Sequence, residues 1–154
     1  MIEQIWFEDF EPGRRLTSGL RTITLADIDA WAALTGERHP VHMDEVFARG
    51  AGYPGRIAHG LFALALIEGL KAELGCFERS VVASLGWDKV KFHAPLLPGD
   101  CVRLELTFVD RRLSSKPGRG VATERGVLMR ADGAAIASGD HVVILLTRPA
   151  AGSQ

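Results

Sequence analysis

The sequence predicts an α+β fold, an antiparallel β-sheet wrapped around one long central helix. Three observations carry that expectation. Helical periodicity is confined to the first half, where it ends in an apolar stretch over residues 60–74. The second half is a series of alternating or β-branched runs separated by turn residues. Helices followed by consecutive strands give an antiparallel sheet with helices on one side, not a doubly wound parallel one.

Each element has its own signal. Thr24 is a candidate N-cap with Asp27 as capping-box partner, Ile28, Trp31 and Leu34 follow at helical spacing, and Gly36 supplies a left-handed stop. Residues 44–49 have room for one or two helical turns, and "GAGYPGRIAHG" reads as an irregular glycine-rich segment. The longest helix follows over residues 60–74, apolar on most sides through Leu61, Leu64, Ala65 and Leu66, so it needs a wrapping partner. "SVVASLGWDKVKF" is a strand ending in the turn "HAPLLPGD". In "CVRLELTFV", Val102, Leu104, Leu106 and Phe108 share one face, the pattern of a half-buried strand. "SSKPGRG" is a loop, "VATERGVLM" a weaker strand, Asp132-Gly133 a hairpin turn, and "AIASGDHVVILLT" the last strand.

Composition narrows the function classes. A chain of 154 residues is expected to form a single domain over residues 1–148, with residues 149–154 a flexible tail. Eighteen basic against nineteen acidic residues give a net charge of −1, so no broad basic field invites nucleic acid or an anionic membrane. "MIEQIWFEDFEPGRR" lacks the regions of a secretory leader. "IAHGLFALALIEGL" is too short to span a bilayer and is interrupted by His59 and Glu68, so no membrane partner is expected. Cys76 and Cys101 form no CxxC and sit in apolar surroundings, the pattern of buried free thiols in a cytoplasmic protein. Neither a phosphate-binding G-x-x-x-x-G-K loop nor a G-x-S-x-G nucleophile elbow is present.

The chemistry-bearing stretch is "TGERHPVHMD", residues 35–44. His39, His42 and Asp44, with His59 or His93, could in principle ligate a metal, but the spacing matches no zinc pattern and no metal is expected. Glu37 and His42 flank the stiffening Pro40, and a carboxylate and an imidazole converging on one water can orient it and exchange its protons. On this pairing alone, a polar surface loop without chemistry is the plainer reading. The second segment, "GRIAHGLF", shifts the balance. It places Gly60 at the start of a buried helix, where free amides and the helix dipole favour a nearby anion.

Together "ALTGERHPVHMDEVFARGAGYPGRIAHGLF" resembles the signature of MaoC-like dehydratases and (R)-specific enoyl-CoA hydratases, and "VKFHAPLLPGD" resembles that family's F-x-x-P strand-and-turn. The resemblance covers nearly the whole chain. It implies a hot-dog fold, a homodimer or dimer of dimers, and an acyl-CoA substrate hydrated reversibly from the trans-2-enoyl to the (R)-3-hydroxyacyl thioester. No metal or redox cofactor is implied. By position, Glu37 and His42 fall on the catalytic acid and histidine, Gly60 on the oxyanion amide, and Asp44 on a structural acid. His39, Arg56, His59 and Leu61 are expected to bind substrate. The sequence departs from the pattern where Glu37 replaces aspartate and His39 replaces asparagine. A hot-dog acyl-CoA thioesterase and a non-catalytic acyl-CoA-binding homologue are the rival expectations.

Overall fold

The computed structural model describes residues 2–150, so most of the expected tail lies outside the described residues. A short 3-10 turn (Phe7–Asp9) leads into β1 (Arg15–Thr17) and β2 (Arg21–Thr22), two small strands that the sequence did not signal. Three short helices follow, α1 (Leu25–Thr35), α2 (Pro40–Met43) and α3 (Glu45–Gly50), before the long α4 (Gly60–Ala72). The second half forms β3 (Val81–Phe92), β4 (Cys101–Leu113), β5 (Arg119–Arg130) and β6 (Ala135–Leu146). All pairings are antiparallel, in the spatial order β1-β4-β5-β6-β3, with β2 also on β4. The α+β expectation holds.

The caps are those the sequence proposed. Thr24 Oγ1 accepts from the Asp27 N–H at 3.2 Å, and Asp27 Oδ2 accepts from the Thr24 N–H at 2.8 Å. Gly36 closes α1 in the left-handed region at φ 76°. The buried stripe differs from the expected one. Ile28 and Ala32 are fully buried and Trp31 packs on Phe62, but Leu34 is 82% exposed. Leu34 lies about 120° around the helix from the Ile28 stripe, so its hydrophobicity faces outward.

Helix α4 packs against β4, β5 and β6. Val102, Leu104, Leu106 and Phe108 form the inner face of β4, each 1% exposed or less. The approach of α4 is close enough to require a glycine: a Cβ on Gly126 of β5 would sit 2.6 Å from Ile67 Cγ2. One face of α4 stays uncovered, with Leu61 64% exposed and Ala65, Gly69 and Ala72 also open. At the sheet's end, β3 has no strand on its outer edge among the described residues and shows Val82, Leu85 and Phe92 to solvent. Its pairing with β6 shifts register three times, between Val81 and Ala83 and then near Gly86 and Lys89, the last two residues both at positive φ. Cys76 is buried, and burial pushes its thiol pKa up, whereas Cys101 is only half-buried, at the start of β4 beside the Thr22 hydroxyl. The expectation of a buried thiol fails for Cys101 because it alternates with buried Val102 and so lies on the outer face of β4. Among the described residues no helix is long and apolar enough to cross a membrane.

Candidate active site

The site lies where the loop after α1, the one-turn α2 and the start of α4 meet. Pro40 starts α2, and His39 caps it by accepting the Val41 N–H on Nδ1 at 3.3 Å. Asp44 then accepts the Phe47 N–H at 2.9 Å, capping α3. His39 and Asp44 therefore serve as caps, and the histidine–aspartate set first weighed as metal ligands does not converge.

A different set does. His42 Nε2 lies 3.3 Å from Glu37 Oε2, and His59 Nε2 lies 3.5 Å from the same oxygen. The two imidazole rings stack at 3.9 Å with 24° between their planes. These three groups offer donor atoms within 4.8 Å of one another, a spacing able to hold a metal ion. The hydrogen bonds reduce that capacity. His59 Nε2 sits 2.9 Å from the Glu37 carbonyl oxygen, which can only accept, so Nε2 carries the ring proton and is no ligand. That leaves one imidazole in the cavity wall and one half-exposed carboxylate beside it.

The same logic fixes His42. Its Nδ1 lies 2.8 Å from the Ile57 carbonyl and so donates to it, which turns the lone pair of Nε2 toward Glu37. Burial is the largest influence on His42 and holds its pKa below the ordinary imidazole value, with the neighbouring His59 pushing the same way. The Glu37 carboxyl is held below its usual range, first by the His39 N–H that its Oε1 accepts at 2.8 Å, then by the surrounding imidazoles. At neutral pH the pair is a carboxylate and a neutral imidazole: two acceptors side by side with no proton between them. Such a pair favours a molecule that donates to both, and water is the simplest.

The longer Glu37 side chain reaches this position by folding back over its own loop to the amide two residues on, so the extra methylene is absorbed locally. His59 is 4% exposed. It joins the frame of the site by holding the Glu37 backbone and backing the His42 ring.

A cavity of about 360 Å³ opens beside this pair. Its wall includes His42, His59, Gly60, Tyr53, Phe92 and His93. His59 provides no side-chain cap to α4, so the amides at that helix start are free for an incoming oxygen. A Cβ on Gly60 would lie 3.0 Å from the Phe92 ring, so an aromatic ring already makes the close approach that the glycine permits. Leu61 lies on the open face of α4 and not in the cavity wall. Arg56 is also absent from the wall: its guanidinium bonds the His42 carbonyl and Asp29. Sequence reasoning passed over Tyr53, Phe92 and His93 as lining residues. The F-x-x-P turn that carries Phe92 and His93 was the available signal.

The profile of the MaoC-like domain matches residues 9–127. The chain belongs to the MaoC-like domain family. MaoC of Klebsiella aerogenes is 35% identical over 102 residues, 66% of this chain and 30% of its own length. The 3-hydroxybutyryl-CoA dehydratase of Methylorubrum extorquens is 36% identical over 110 residues, 71% of this chain and 67% of its own. This chain thus spans about a third of the first relative and two thirds of the second. Among solved structures, an Archaeoglobus protein described as a monoamine oxidase regulatory protein superposes with TM-score 0.86 at 25% identity, covering 96% of this chain and 98% of its own. A Mycobacterium tuberculosis protein with a double hotdog fold superposes with TM-score 0.81 at 21% identity, covering 98% of this chain and 47% of its own. The MaoC-like chain described here has the hot-dog fold, and its family is one of hydratases and dehydratases.

Proposed function

We propose that the protein is an (R)-specific enoyl-CoA hydratase, or 3-hydroxyacyl-CoA dehydratase in the reverse direction. It adds water to the double bond of a trans-2-enoyl-CoA. The observation that carries this reading is the Glu37–His42 pair, two acceptors turned toward each other at 3.3 Å beside a cavity and a free helix start. A water donating to both is oriented for attack on the β-carbon. Its oxygen forms the new C–O bond, one of the pair takes a proton from it, and the pair returns that proton to the α-carbon as the double bond opens. The thioester oxygen, negative as the double bond opens, is held by the Gly60 amide. No metal or redox cofactor enters this scheme. The names of the dehydratase and hydratase relatives support the acyl-CoA substrate.

The uncovered face of α4 and the free β3 edge support a second copy of the chain as partner, in a homodimer or dimer of dimers, since an exposed apolar edge strand is a ready pairing surface. The test is incubation of purified protein with crotonyl-CoA, following the absorbance of the conjugated thioester with free CoA assayed in parallel. Loss of absorbance without release of CoA is expected. Release of CoA would make the protein a thioesterase, and silence in both channels across a panel of enoyl-CoA chain lengths would overturn the hydratase reading.

A further inference from the structure

We infer that Arg56 is a positioning residue that, with Asp29, holds the His42 turn in its working place, and that it does not bind CoA phosphate. Helix α2 has four residues, too few to persist on intrinsic propensity. It is braced from outside, on the strip formed by Arg56 and Ile57. The Ile57 N–H donates to the Val41 carbonyl at 3.3 Å, His42 Nδ1 donates to the Ile57 carbonyl at 2.8 Å, and Arg56 Nε donates to the His42 carbonyl at 2.5 Å. The last of these satisfies a carbonyl at the end of the turn with a cationic donor, the stronger kind of hydrogen bond. The guanidinium is itself locked by Asp29 of α1, and the Arg56 N–H is held by Glu45 Oε2 of α3 at 3.0 Å. The side chain thereby joins α1 to α2 at the residue whose ring faces Glu37, and the Arg56 backbone adds the tie to α3.

Two facts separate this role from phosphate binding. The Arg56 side chain is only 12% exposed, and its Nε and one terminal nitrogen are engaged with protein acceptors. A phosphate ligand would present its fork to solvent. The His42 ring also takes its orientation from the carbonyl adjacent to Arg56, so a slack brace would move the imidazole relative to Glu37. A displacement of about 1 Å can cost roughly a hundredfold in rate.

The inference rests on the hydratase reading for its kinetic arm alone. Arg56→Met, Arg56→Lys and Asp29→Asn would be measured in two ways. With crotonyl-CoA, Arg56→Met should lower kcat by roughly thirty- to a hundredfold while KM changes less than about threefold, and Arg56→Lys should restore part of kcat. By nitrogen-15 NMR of the histidine side chains, the wild-type His42 ring should show the single tautomer protonated at Nδ1. Arg56→Met should mix the tautomers and move the His42 titration toward the ordinary value. The NMR arm decides the matter even if the wild-type protein turns over no enoyl-CoA. A tenfold rise in KM with kcat and the His42 signals unmoved would overturn the proposal in favour of phosphate binding. No change in either readout would overturn it outright. Should Arg56→Met fail to fold, Asp29→Asn leaves the arginine in place, loosened, and must show the same changes on a smaller scale.

Discussion

The two ends of α4 carry clusters built from the same residue types and put to opposite ends. At the N-terminal end, Glu37 faces two stacked imidazoles, and among the described residues no lysine or arginine pairs with it. Toward the C-terminal end, His141 Nδ1 lies 3.2 Å from Glu124 Oε1 and 2.9 Å from Glu68 Oε1, and the Lys71 ammonium pairs with Glu124. His141 is stacked flat on Trp87 at 4.3 Å, with its Nε2 2.7 Å from the Ser84 hydroxyl. In the first cluster burial dominates and lowers the His42 pKa. In the second, burial pulls His141 down, but the Glu124 and Glu68 carboxylates beside its Nδ1 outweigh it and raise the pKa. A buried cation turns carboxylates and imidazole into a neutralised brace. Without one, they remain acceptors in need of a proton donor. Glu68, Glu124 and His141 could also be arranged around a metal ion, but Lys71 already compensates Glu124 from within.

The contrast can be broken most forcefully at its reactive end. Glu37→Gln or His42→Ala should lower turnover of an enoyl-CoA by about 10²–10⁴, the usual contribution of general acid–base catalysis, with the unfolding midpoint nearly unchanged; steady-state kinetics and circular dichroism check both halves. At the other end, Lys71→Met takes the ammonium from buried Glu124 and leaves it only the His141 ring as partner. It should destabilise the fold by about 3–5 kcal/mol, and adding Glu124→Leu should restore much of that in urea titrations.

Protonation sharpens the comparison further. Because the folded pKa of His42 is lowered, kcat/KM should be flat above neutrality and fall as pH drops through a value below 6.5. The raised folded pKa of His141 works the other way. Its contribution to stability is whole below about pH 6.5, the unperturbed value, and is lost as pH rises through the folded value. His141→Gln should remove that slope from denaturation curves measured on either side of neutrality. The smallest effect concerns the two acids of the loop: Asp44→Ala removes the cap of α3, costing about 1 kcal/mol, while turnover stays within about threefold of wild type. A catalytic loss at Asp44 matching that at Glu37 would contradict their separation into cap and acid.

Much of this was legible beforehand because it is local. The Thr24–Asp27 box, the Gly36 stop and the alternation of β4 involve residues within a few positions of each other, where backbone sterics and side-chain period leave few choices. The weaker run in β5 became a central twelve-residue strand because two neighbours pair with it, which no local propensity records. Leu34 fitted the periodic pattern and yet faces solvent, since only packing determines which stripe of α1 meets the core. Around the site, Glu37, His42 and Gly60 were readable from motif spacing. The role of His59 as frame and the engagement of Arg56 were not, because each depends on segments distant in the chain.

The sequence by itself determined the α+β class, the caps, the order of the main elements and the loop that carries the carboxylate and imidazole, all set by short-range stereochemistry and hydrophobic period. Tertiary structure alone decided which histidine tautomer faces Glu37, which arginine is buried as a brace, and which cluster received a compensating lysine. Those outcomes depend on carbonyls and charges brought together from strands and helices far apart in the chain, where hydrogen-bond direction and burial, not residue identity, set the chemistry.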